Sequence, residues 1–221
     1  EKYAIVTIPA ITLTDPKPFA HVGKELLVSG LSQARHGFPA LPSVPRELAD
    51  IQQIMGGRKL LDAEYTTGNL KGEFGGHEYS VVHMATHGMF GSSAKDTFLL
   101  AYDEKLTVDR LEELIHLGRF RETPVELLTL SACQTALGDE RAALGLAGVA
   151  VRAGARSALA TLWSVYDEAT AMTVTEFYRH LKTPGVSKAE ALRQAQRSMI
   201  AKPQYQHPVY WAPFLMIGNW M

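Results

Sequence analysis

Val81-Val82-His83-Met84-Ala85-Thr86-His87-Gly88 and Leu127-Leu128-Thr129-Leu130-Ser131-Ala132-Cys133-Gln134-Thr135 are the two stretches on which the fold turns. Each is a continuous apolar run that finishes on a reactive side chain, an imidazole in the first and a thiol in the second. Unbroken apolar runs suit strands covered on both faces, which is the situation of a parallel sheet. In open parallel sheets, functional groups gather outside the carboxyl ends of the strands. If these two strands are neighbours, His87 and Cys133 leave the sheet at one shared edge.

The chain on either side extends this pattern. Tyr3–Ile8, Glu25–Leu31, Lys59–Glu64, Thr97–Tyr102, Ser157–Val165 and Trp211–Ile217 also read as strands. Between them lie helical spacings. Pro45–Met55 places Leu48, Ile51, Ile54 and Met55 on one face, and Val108–Leu117 does the same with Leu111, Leu114 and Ile115. Ala142–Arg152 is small and apolar nearly all round, with Gly154 placed to end it. Asp167–Leu181 is a longer amphipathic helix, and Ser187 with Glu190 forms a capping box for a helix running to about Ile200. Strand and helix alternate, which argues an α/β sandwich with a mostly parallel sheet. Pro39–Pro45 is a loop too short for a domain boundary, so residues 1–221 are read as a single domain.

Composition narrows the function. The 221 residues are 46% hydrophobic and 20% charged, which excludes a disordered or fibrous chain. A net charge of −1, with no basic run, gives no footprint for nucleic acid. The most apolar stretch, Leu144–Trp163, is interrupted by Arg152 and Arg156, short of the ~18 uninterrupted residues that a membrane span needs. With Cys133 alone no intramolecular disulfide can form, as expected of a reducing compartment, the cytoplasm. The chain opens on Glu1 without a signal-peptide pattern and is expected to be a piece of a longer protein.

The chemistry of the two strand ends follows from their residue types. A thiol of pKa ~8.5 is mostly protonated at neutral pH, and a neighbouring imidazole can take its proton. The N–H groups of Gly88 and Cys133 are candidates for an oxyanion hole. The plain alternative is a small buried core thiol and a hydrogen-bonded strand-end histidine. His83 and His87, four apart, would suit a metal on a helix. On a strand they stand roughly 13 Å apart, so no metal is expected. Period two puts them on one face, with His83 as a buried, hydrogen-bonded support.

The segments HMATHG, LSACQTALG, ALATLWSVYDEAT, FYRHL, KAEALRQAQ and HPVYWAPFLMIG, in this order from about Leu26 to Gly218, resemble the CHAT domain. This is a caspase-like module grouped with caspases, separases and gingipains. The resemblance implies a three-layer α/β/α sandwich and a peptidase with a dyad of His87 and Cys133. It implies no cofactor, a protein substrate, and attachment to a regulatory domain of tetratricopeptide repeats. It carries no role with nucleic acid or membrane. Asp167, after Trp163-Ser164-Val165, resembles the acidic residue that binds a basic P1 side chain in separase- and gingipain-like peptidases, with Trp163 as a wall of that pocket. Asp167 is equally placed to cap the helix it begins. The aspartate preference of caspases is not carried over, since no pocket arginines can be placed. Two other readings use the same features: a catalytically silent binding or signalling module, and a thiol redox sensor, which lacks a resolving cysteine. Gly138–Arg141 reads as a solvated loop beside the nucleophile, and Tyr210 and Trp211 as core aromatics.

Overall fold

The computed structural model describes residues 2–8, 17–19, 25–90, 97–117, 124–131, 134–135, 154–163 and 165–221. Cys133, the Gly138–Arg141 loop and the expected Ala142–Arg152 helix lie outside the described residues.

The central sheet begins with a parallel array built outward from the two deciding stretches. β4 (Tyr79–Ala85) pairs in parallel with β8 (Leu127–Ser131), in the register Val81 to Leu127 through Ala85 to Ser131. On one side of β4 lie β2 (Glu25–Gly30) and then β3 (Arg58–Leu61), both parallel to it. On the far side of β8, β10 (Ser157–Thr161) is also parallel. β11 (Phe214–Gly218) closes this side antiparallel to β10, with the short β1 (Val6–Thr7) alongside it. The order is β1-β11-β10-β8-β4-β2-β3.

Both faces of this sheet are covered, which is why its strands carry no polar alternation. Successive residues of β4 go to opposite cores. Val82 and Met84 pack with α2 (Thr67–Gly76) and α3 (Val108–Leu117) through Leu70, Phe74, Leu111 and Ile115. Val81 and Ala85 pack with α1 (Val44–Met55), α4 (Asp167–Leu181) and α5 (Lys188–Ile200) through Leu48, Ile51, Phe177 and Leu192. Each such aliphatic side chain, fully buried, contributes about 1.5–3 kcal/mol. The result is helix, sheet, helix: the three-layer sandwich.

Several boundaries differ from expectation. α2 was not anticipated, because its four glycines and its single pair of buried apolar residues, Leu70 and Phe74, leave little helical pattern. Its start is set by Thr66, whose side chain accepts from the Asn69 amide. Residues 62–64, expected to prolong β3, form a 3-10 turn with Asp62 at φ 51°. Ser187 caps α5 as expected, accepting from the Glu190 amide at 3.2 Å.

Beyond the carboxyl end of β4 the chain enters a second, smaller sheet. β5 (Gly88–Phe90) pairs antiparallel with β6 (Phe98–Leu100), β6 with β7 (Lys105–Thr107), and β5 in parallel with β9 (Gln134–Thr135). Gly30 lets β2 close in at this edge. A Cβ there would stand 2.5 Å from the Ala85 carbonyl oxygen, which instead accepts the Leu31 amide.

Candidate active site

The chain passes from the main sheet to the small one at Thr86 and His87, and both are tied to the two sheets. The Thr86 amide donates to the Ser131 carbonyl at 3.3 Å, while its hydroxyl donates to the Leu100 carbonyl. The Leu100 amide donates to the His87 carbonyl at 2.8 Å. Hydrogen-bonded pairs alternate along an antiparallel ladder. Gly88, opposite Leu99, therefore falls in the non-hydrogen-bonded position, with its N–H turned away from β6.

The His87 side chain is 8% exposed. Its Nε2–H donates to the Pro39 carbonyl at 2.8 Å, and its ring lies 5.1 Å from that of Phe38, tilted by 34°. A carbonyl oxygen can only accept, so this contact selects the tautomer protonated at Nε2. In the neutral ring Nδ1 is then the atom able to take a proton.

Pro39 is held by a loop fastened along its length. Asp62 receives the Ser32 amide at 2.7 Å and the Ser32 hydroxyl at 2.8 Å. Arg35 and Phe38 exchange backbone hydrogen bonds, and the Arg35 guanidinium sits 3.7 Å over the Tyr102 ring. At the far end the Ser43 amide donates to Asp167 Oδ2 at 2.7 Å. Phe38, Pro39, Ser43 and Asp62 were missed by sequence reasoning. A loop whose contribution is a backbone carbonyl or amide has no residue-type signature, and the proline spacing of residues 39–45 was the one available sign.

Asp167 does not cap its own helix. Tyr166 is the N-cap of α4 and makes no side-chain cap, while Asp167 spends an oxygen on the amide at the head of α1. Trp163 is 38% exposed, so it is not a core tryptophan. Tyr210 and Trp211 are half-buried rather than core; Tyr210 stands 5.4 Å from the rings of both Tyr166 and Tyr205.

His83 and His87 part company where β4 ends. His83 is fully buried, with Nε2 3.1 Å from Glu47 Oε1 of α1, at ion-pair distance but out of hydrogen-bond alignment. Its ring meets Tyr178 of α4 edge-on at 5.7 Å. The Tyr178 hydroxyl donates to Thr129 Oγ1 at 2.8 Å, and Thr129 is the β8 residue in register with His83. Burial pushes the Tyr178 phenol well above its ordinary range, so it stays a donor. The expected burial is present, but among the described residues neither ring nitrogen of His83 makes a hydrogen bond, and its neighbours are ones His87 does not share. Among the described residues no group of three His, Cys, Asp or Glu side chains could hold a metal, and no helix is long and apolar enough to cross a membrane.

This sandwich, with a mostly parallel sheet and a small sheet at its carboxyl edge, is the caspase-like fold. Gingipain R, described as an Arg-specific cysteine proteinase, superposes with a TM-score of 0.57 at 13% identity, covering 89% of this chain and 46% of that one. The complex of the Porphyromonas gingivalis RgpB pro- and mature domains gives 0.55 at 12% identity, covering 90% and 48%. At that identity the likeness is one of fold. The chain belongs to the CHAT domain family, whose model matches residues 1–219. Tetratricopeptide repeat protein 28 of Homo sapiens is 30% identical over 100 residues, and that of Mus musculus 33% over 97. These alignments cover 44% and 43% of this chain but 4% of each relative's length.

Proposed function

We propose that the chain is a cysteine endopeptidase domain that hydrolyses a peptide bond of a protein substrate. One observation carries this reading. Ala85 and Met89, which bracket His87, pair with Ser131 and Gln134, which bracket Cys133 in the sequence. Nδ1 of His87 takes the Cys133 proton as sulfur bonds to the scissile carbonyl carbon. The Gly88 and Cys133 N–H groups receive the developing oxyanion. The C–N bond then breaks and the imidazolium gives its proton to the leaving amine. Water repeats the sequence on the thioester: His87 takes its proton, the hydroxyl bonds to carbon, and the thiolate departs reprotonated. No cofactor enters. Asp167, with Oδ1 making no hydrogen bond among the described residues, selects a basic P1 side chain, and Trp163 walls its pocket.

Residues 1–221 act as one domain of a longer protein in the cytoplasm, controlled by attached tetratricopeptide repeats. The names of the curated relatives support the attachment. The test is cleavage of a peptide panel by the chain and by Cys133→Ala, with iodoacetamide labelling of the thiol alongside. Loss of cleavage in the variant, with a wild-type thiol that outpaces free cysteine near pH 7, is expected. Equal cleavage by both, or an inert thiol, would return the chain to the class of silent binding modules.

A further inference from the structure

Two carboxylates hold the ends of the loop that carries Pro39. Asp62 takes the Ser32 amide and hydroxyl at its beginning, and Asp167 takes the Ser43 amide at 2.7 Å at its end. Ser43 is four residues beyond Pro39, whose carbonyl receives the His87 Nε2–H at 2.8 Å. The strap between them, Pro39-Ala40-Leu41-Pro42-Ser43, contains two prolines with fixed φ. Leu41 in its middle is tied back, its amide donating to the Ser32 carbonyl at 2.9 Å. So short and stiff a segment has little slack to absorb a movement of Ser43, and the displacement is passed to the Pro39 carbonyl.

From this geometry we infer that Asp167 is a positioning residue for His87, acting through Ser43 and Pro39 as well as on substrate. The inference adds to the peptidase reading and rests on it only for the consequence in hydrolysis; the alignment of the ring stands on the described contacts alone. One carboxylate then serves both specificity and alignment: Oδ2 holds the strap, and a basic side chain meets the same group. Binding of the right substrate bears directly on the orientation of the base.

Charge and acceptor can be separated at this position. Asp167→Asn keeps an oxygen for the Ser43 amide and removes the charge; Asp167→Ala removes both. Ser43→Pro deletes the donor at a residue whose φ of −83° lies close to the proline range. The readout is the His87 tautomer, followed by nitrogen NMR on the 15N-histidine-labelled chain and assigned by the signal lost in His87→Gln. Wild type and Asp167→Asn are expected to show the Nε2–H form. Asp167→Ala and Ser43→Pro are expected to show mixed tautomers, with kcat on a neutral-P1 peptide lower by about tenfold to a hundredfold. A thermal melt of each variant confirms folding, and Ser43→Pro decides the matter if Asp167→Ala does not fold. An unchanged tautomer in the donor and acceptor deletions would overturn the inference, and so would an Asn variant as disturbed as Ala. The peptidase reading fails by a different result, equal alkylation of Cys133 in wild type and His87→Gln, which leaves the ring measurement untouched.

Discussion

Two histidines four residues apart on one segment have opposite kinds of partner. His83 lies inside β4, wholly buried, facing the Glu47 carboxylate and the edge of Tyr178. His87 lies just past the strand, 8% exposed, and donates to a neutral backbone carbonyl. A carboxylate partner in the core must be matched by a charge or a proton, so the pair locks α1 to the sheet and is costly to break. A carbonyl partner fixes the tautomer of a ring and demands nothing of its charge. The lesson is that position along a strand, interior or end, decides whether a histidine holds the fold or works on it.

The contrast is broken most sharply at His87. His87→Ala is expected to lower kcat/KM on a peptide substrate by at least about a hundredfold, the usual range for a lost general base. Its melting temperature is expected to move by only a few degrees, because among the described residues the ring is anchored at the sheet's edge through one hydrogen bond and one tilted ring contact. Peptide kinetics and a thermal melt on the same preparation measure both. A variant that unfolds while its residual native fraction cleaves normally would reverse the roles of the two histidines.

How much of this was legible in the sequence depends on who the partner is. β4 and β8 announced themselves because continuous apolar runs ending in chemistry have few other readings, α3 and α4 because 3.6-residue spacing is a local signal, and α5 because its Ser187 cap is one too. α2 hid behind its glycines. The partners of His87 and Asp167 hid for another reason: they are main-chain atoms, 48 and 124 residues away in sequence. No local pattern encodes that an aspartate at the start of one helix will receive the amide at the start of another. His83 was legible as buried, but its carboxylate was not, since Glu47 reads as an ordinary first-turn acid of α1. The shared face expected for the two histidines failed because period two holds only while the strand lasts, and β4 stops at Ala85.

The second way to break the comparison is at His83's partner. Glu47→Ala leaves a buried imidazole without its carboxylate and is expected to cost about 3–5 kcal/mol of unfolding free energy in urea. Replacing both members by leucine, at Glu47 and His83 together, is expected to recover most of that loss, because an apolar pair of similar volume avoids the desolvation penalty. If the double variant is as unstable as the single one, the pair contributes more than charge matching. The folded fraction of Glu47→Ala is expected to keep the Nε2–H tautomer of His87, since the Pro39 contact does not pass through Glu47.

The smallest effect sharpens the comparison from the surface. Glu190, at the start of α5, is bonded through both oxygens to Arg193, at 2.6 and 2.8 Å, and to Gln194 at 2.7 Å. The Arg193 hydrogen bonds, helped by Gln194, hold its carboxyl down at about 2, below the ordinary 4.5. A group depressed on folding stabilises the native state above its unfolded value and loses that contribution as pH falls through the folded one. Glu190→Gln is therefore expected to be less stable than wild type at pH 7, by under about 1 kcal/mol because the side chain is 31% exposed and screened by solvent. That gap should close between about pH 4.5 and 2. Urea titrations at pH 7, 4 and 2 measure it, and a gap that persists unchanged at pH 2 would remove the ion pair as its cause.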